Sequence, residues 1–310
     1  MKRSSRANLL LLLTAMIWGA AFVAQDVAAD SLPPFSFNSA RMLLAALTLL
    51  PVVFLMDHKA ARAPAAAAPQ LGDAIPFARM NRKQWHTLML GGLCCGVMLA
   101  LGSCFQQLGF QMGASAGKAG FVTALYIVLV PILGLLWGKR VRKLLWAAVA
   151  ICAVGLYLLC IHDGFRIEPC DVFLILCALS FSGHILVVDY FSRHTDCVKL
   201  SCMQFFVVAI LCGVLAAFYE RPTLQGLIRC VIPILYSGML SGAMGYTLQI
   251  VAQKDSDPTV ASLIMSLESF FAVLAAWLIL GDQMSPREYL GCFAMMVGII
   301  ISQLRPRQKR

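Results

Sequence analysis

Charge is scarce in this 310-residue chain: Asp, Glu, Lys and Arg together make 13% of it. A water-soluble domain of this length needs a far more polar surface, and apolar runs recur from end to end, leaving no stretch for a separate soluble domain. The patterns of common catalytic and cofactor sites are also missing. Gly113 to Gly120 superficially resembles a phosphate-binding loop, but three residues instead of four separate Gly113 from Gly117, and Ala119 follows the lysine where Ser or Thr belongs. The 12 cysteines include no CxxC pair and no Cys/His cluster at zinc spacing. Most, such as Cys95, Cys104 and Cys212, lie inside apolar runs and read as small core side chains. An intramembrane enzyme would need a His/Asp or paired-carboxylate constellation at the membrane surface. Only scattered neighbours occur (His162/Asp163, Asp255/Asp257), so neither an enzyme nor a cofactor nor a metal is expected.

What abounds is hydrophobic: 60% of the residues, with a mean hydropathy of +0.80. A bilayer core of ~30 Å takes ~20 helical residues to cross. Ten such runs can be drawn, at 8–26, 36–56, 86–107, 115–137, 144–161, 171–190, 198–218, 229–251, 259–280 and 287–304. The expected fold class is therefore an all-α integral membrane protein of ten transmembrane helices. Lys2, Arg3 and Arg6 before Leu9 to Ile17 resemble a signal peptide, but the apolar run continues through Trp18, Gly19 and Phe22, so it reads as a retained first helix. Pro33-Pro34 and Arg221-Pro222 punctuate the runs, while Asp257-Pro258 and Ser285-Pro286 open the last two with a cap followed by proline. The long 57–85 loop, with its Ala/Pro tract from Ala60 to Pro69, reads as flexible. Gly92/Gly96, Gly134/Gly138 and Gly238/Gly242 have the small-xxx-small spacing of close helix packing.

The chain also repeats. Residues 96–125 align with 238–267 at a constant offset of 142, pairing Gly96 with Gly238, Gln107 with Gln249, Gln111 with Gln253 and Leu125 with Leu267. Each half then reads as five helices, 8–161 and 171–304. Five is odd, so the second copy must enter the membrane upside down, and matched loops should differ in Lys/Arg content. Lys139, Arg140, Arg142 and Lys143 crowd one loop, whereas its partner, Gly281 to Glu288, holds only Arg287. Both termini in the cytoplasm puts 19 Lys/Arg inside and 5 outside, with Arg41 within the second helix. The basic tail Arg305, Arg307, Lys309 and Arg310 agrees with that placement. The net charge of +10 thus follows lipid headgroups and topology, and nucleic acid is not an expected partner.

These residues resemble the drug/metabolite transporter superfamily, in particular its ten-helix EamA-type family. The matching features are Trp18-Gly19, the ninth-run segment Ala261 to Ala272 with Glu268, the Gly281-Asp282 pair, and Gly291 and Gly298 in the last helix. The first half is similar from Ala119 through Pro131 to Gly155, and the resemblance covers about residues 8–304. Two positions depart from the family: Ser269 stands where proline is frequent, and Lys139 where a carboxylate is frequent. The resemblance implies a secondary transporter of a small metabolite, with amino acids or related compounds as the substrate class and export favoured over uptake. It also implies residence in the cell inner (plasma) membrane. Oligomeric state is not legible, and a homodimer is compatible with it.

An inverted repeat allows rocking about a central site, so substrate should sit near the midplane between the halves. Polar groups at that depth are costly and are therefore candidates for the site or for helix–helix contacts. Arg41 could bind a substrate carboxylate or snorkel to the headgroups. Glu268 could bind an amine, carry a coupled proton, or hold its helix in register. Gln107 and Gln249, with Gln106 adjacent, could contact substrate or bridge helices. His184 completes the polar candidates, its helix neighbour Asp189 being placed near the inner surface. Trp18, Phe22 and Tyr126 could line an apolar cavity.

Overall fold

Without water to satisfy it, a backbone in hydrocarbon must bond to itself, and a chain with this pattern has helices as its natural solution. The computed structural model describes residues 3–62, 75–114, 116–161, 168–280 and 285–304. Among these there is no strand. The helices are α1 (Arg3–Ala29), α2 (Pro34–Arg62), α3 (Arg82–Gln111), α4 (Ala116–Thr123), α5 (Tyr126–Leu136), α6 (Lys143–Cys160), α7 (Pro169–Phe191) and α8 (Cys197–Tyr219). They continue as α9 (Leu224–Arg229), α10 (Val231–Leu235), a π-helical stretch (Tyr236–Tyr246), α11 (Thr247–Gln253), α12 (Pro258–Met265), α13 (Leu267–Leu280) and α14 (Pro286–Gln303). Among the described residues, seven helical segments are long and apolar enough to cross a membrane, and Lys143–Leu159 and Pro258–Leu274 are shorter apolar helices. The Ala/Pro tract from residue 63 onward, the Gly281-Asp282 pair and the basic tail from Arg305 lie outside the described residues.

Helix starts follow their cap chemistry. Asp257 accepts hydrogen bonds from the amides of Thr259 and Val260 ahead of Pro258, and Ser285 forms a reciprocal box with Glu288 around Pro286. Gly138 does something other than pack. It has a φ of +73°, an added Cβ would meet nothing within 4 Å, and it closes the end of α5, with Lys139 N donating to Gly134 O at 2.9 Å. Gly134/Gly138 is thus a helix terminus rather than the packing pair expected from its spacing. Gly92, Gly96 and Gly242 do mark close approach: added Cβ atoms there would lie 2.6, 2.5 and 2.8 Å from Met203, Val207 and Ala45 Cβ.

Two runs drawn as single helices are broken. The fourth splits between α4 and α5 at Ala124–Leu125, where Leu125 N and Ile127 N form tightened bonds to Val122 O and Ala124 O. The ninth splits between α12 and α13 at Ser266. There the hydroxyls of Ser262 and Ser266 donate to Thr259 O and Leu263 O, competing with the helix for its own carbonyls. The eighth run is widened over eleven residues into the π stretch, which holds Gly238, Gly242 and Gly245.

In the packed bundle α6 lies against α14, α3 against α7 and α8, and α2 against α8 and the π stretch. α1 packs on α13, the π stretch and α11. At Gly19 a Cβ would come within 2.6 Å of Phe271 Cβ and 2.7 Å of Glu268 O, so α1 and α13 touch almost backbone to backbone. Polar links tie helix ends together. Lys118 meets Glu168 at 2.7 Å and Asp171 at 3.0 Å, and Lys199 meets Asp57 at 2.6 Å. Asp189 takes both Lys139 and Arg193, while Glu220 accepts the Phe35 and Ser36 amides at the start of α2.

Candidate functional site

The broken and widened helices surround a cavity lined from both ends of the chain's sequence. α1 supplies Trp18, Phe22 and Gln25; α2 supplies Arg41; α7 supplies Phe181 and His184; α11 supplies Gln249; and α13 supplies Glu268. Gln106 from α3, Thr123 from α4, Tyr126 from the first turn of α5, and Ser241 and Tyr246 from the π stretch complete the polar part of the lining.

Several of these polar side chains are held by neighbours. Arg41, 2% exposed, donates from Nε to Asn38 Oδ1 at 2.8 Å, and Asn38 Nδ2 is anchored on Pro34 O and Ser103 O. The guanidinium also lies over the Phe37 ring, 5.3 Å from its centroid. Arg41 is therefore enclosed by protein, in place of the snorkelling alternative, and no described carboxylate forms an ion pair with it. Glu268, 4% exposed, accepts a hydrogen bond from the Tyr126 hydroxyl at 2.9 Å. Trp18 donates its indole N–H to Ser241 O at 3.2 Å, a carbonyl within the π stretch, and its ring packs on Tyr246 with centroids 4.7 Å apart. His184 Nε2 faces Gln204 Oε1 at 3.0 Å, and Gln249 Nε2 donates to Gln253 Oε1 at 2.9 Å.

Of the residues singled out in the sequence, Trp18, Arg41, His184, Gln249 and Glu268 all border this cavity, as do Phe22, Gln106 and Tyr126. Gln107 does not. Its Nε2 donates to the backbone oxygen of Gln25 at 2.9 Å and so bridges α3 to α1. Gln25, Ser241, Tyr246 and Phe181 were not anticipated. Gln25 falls at the last turn of the predicted first span, where a polar residue reads as interfacial, and serine and aromatic residues are too common in membrane helices to signal a site.

The arrangement suits a ligand with both a cationic and an anionic group beside apolar parts. It offers a guanidinium, a carboxyl group and an imidazole, separated by aromatic rings.

Known proteins agree with that architecture. A solved crystal structure superposes with a TM-score of 0.71 over 96% of both chains at 16% identity, which shows a shared fold. A protein of Archaeoglobus fulgidus named as an uncharacterized transporter is 30% identical over 304 residues, covering 96% of this chain and 86% of the relative. The uncharacterized transporter YwfM of Bacillus subtilis is 24% identical over 313 residues, covering 98% of this chain and 95% of its own length. The EamA-like transporter family model matches residues 5–161 and 169–304, and the chain belongs to that family.

Proposed function

We propose that the chain is a secondary transporter that carries a small metabolite, an amino acid or related compound, out of the cell. In this reading it works by alternating access between two inverted five-helix halves, residues 8–161 and 171–304, with both termini in the cytoplasm. The observation that carries the reading is the cavity, which has Arg41 of one half and Glu268 of the other in its lining. The cation suits a carboxylate, and the acid suits an amine or a coupled proton. No ATPase module is present in the sequence, so the drive is an ion gradient, exchange or facilitation. The proposed setting is the inner (plasma) membrane, with lipid as the surrounding partner and a homodimer as the oligomer to test.

The inverted repeat draws support from where equivalent positions fall. Tyr126 and Glu268 are 142 residues apart, the offset of the sequence repeat, and they bond to each other. Positions related by a two-fold axis meet only near that axis. The breaks at Ala124–Leu125 and Ser266 are equivalent at the same offset. Exchanging the halves maps α2 on α8 and α6 on α14 onto themselves, and maps α3 on α7 onto the π stretch on α1. The links from Lys118, Lys139 and Asp57 to second-half residues are then joints between the halves that rocking would open and close.

Reconstituted into liposomes loaded with amino acids, the purified chain should exchange labelled substrate across the membrane. Intact protein that supports no flux of any metabolite class would sink the transport reading. Glu268→Gln separates binding from coupling. It should abolish uptake driven by a pH gradient while sparing counterflow, and an unchanged gradient response would remove the proton role.

A further inference from the structure

Several buried polar atoms on the cavity's lining have no partner in the protein: Gln25 Oε1, Gln249 Oε1 and His184 Nδ1. An unpartnered buried polar group costs about as much as a lost hydrogen bond, so each needs an explanation. Amide oxygen and nitrogen are told apart only by their partners, and at Gln249 the partners decide. Ile185 contributes a backbone carbonyl, which can only accept, and Gln253 Nε2 points at it at 3.1 Å. Gln253 must then present its oxygen to Gln249, which answers with Nε2 at 2.9 Å. The orientation propagates one further step. One N–H of Gln249 Nε2 is committed to Gln253 one helical turn away, and its oxygen is the buried amide atom without a partner in a residue that lines the cavity.

Gln249 Oε1 is thus an acceptor in want of a donor, and among the described lining residues the one lysine or arginine is Arg41. An ammonium group supplies three N–H donors and accepts nothing. We propose that Gln249 is a specificity-determining residue, held oxygen-first by Gln253 as a positioning residue, and that it selects substrates presenting a primary ammonium group. This rests on the cavity being the substrate site of the transporter proposed above. Gln253 is 0% exposed and is not among the residues that line the cavity, so it acts through Gln249.

The test compares leucine, phenylalanine and glutamate, each paired with the carboxylic acid that lacks its amine, as competitors of counterflow by the full chain in liposomes. Wild type should prefer at least one amino acid over its deaminated partner by about tenfold or more, the scale of one buried hydrogen bond to a charged donor. Gln249→Leu should bring that ratio close to one. Gln253→Leu frees the Gln249 amide to turn, and it should lower the ratio several-fold while the deaminated acid competes as before. A merely structural role for Gln253 would weaken both members of a pair alike, and melting of the detergent-purified variants monitors folding separately. An unchanged ratio in both folded variants overturns the proposal and leaves the transport reading intact. If no pair competes in wild type, in either form, the substrate reading and this proposal fall together.

Discussion

Arg41 shows how a single buried charge is made tolerable. Its Nε is tied to Asn38, whose own amide is pinned by two backbone carbonyls, so the guanidinium is presented in one orientation. Arg41→Lys keeps the charge but loses this planar fork and the anchor on Asn38. Initial transport rates in liposomes should fall at least about tenfold, the scale of one charge-assisted hydrogen bond, and melting should come at a lower temperature because the buried Asn38 oxygen loses its donor. Wild-type rates in the lysine variant would show that charge alone suffices. At this scale the sequence was informative where chemistry is rare. Arg41, His184 and Glu268 stand out in apolar runs simply because ionisable groups seldom occur there. Gln107 and Gln249 looked equivalent, and only tertiary contacts separate them: one reaches a backbone oxygen on α1, the other borders the cavity. No local pattern in either segment encodes that difference.

Among the elements, the close contact of α1 with α13 is the most demanding. Gly19 allows it, and Gly19→Val would place a branched side chain where even a Cβ lies 2.6 Å from Phe271 Cβ. Overpacking of this kind costs ~1–3 kcal/mol and occasionally more, so the variant should melt at a lower temperature in detergent and transport more slowly. A wild-type melting temperature would mean that α1 shifts freely, contrary to the contact described. Apolar length made the helices themselves readable, but not their interruptions. Neither break falls at a proline: Pro131 lies inside α5, while the ninth run is bent by serine hydroxyls bonding back to its own carbonyls. The π stretch is likewise a tertiary outcome. Its Ser241 and Gly245 carbonyls accept from Trp18 and Thr14 of α1, groups more than two hundred residues away in sequence.

For the whole molecule, polar links at helix ends matter as much as the cavity. Glu168, at the start of α7, is held below its ordinary value of 4.5 by the hydrogen bond and charge of Lys118. A carboxylate lowered in the folded state adds stability that is fully present above the unfolded value and is lost as pH falls below it. Glu168→Gln should therefore lower melting at pH 7 relative to wild type, with the difference shrinking as pH falls through the lowered value of Glu168. Parallel pH profiles for the two proteins would show that this link contributes nothing. The family and the all-helical architecture were legible from composition and motif, since a bilayer accepts few solutions. Which helix neighbours which was not, because hydrophobic faces in a membrane chain carry little directional information.

In the reading proposed above, in which the two halves are copies of one unit, the bond between Tyr126 and Glu268 has a consequence for symmetry. Two identical subunits related by a two-fold axis would set like against like at this point, either two phenols or two carboxyl groups. A tyrosine donor facing a carboxyl acceptor is a complementary pair, and it requires the two copies to differ. In that reading the halves are not interchangeable, since Tyr126 supplies the donor and Glu268 the acceptor. On the proposed inverted-repeat reading, a chain built from either half twice over would lose this complementary pairing.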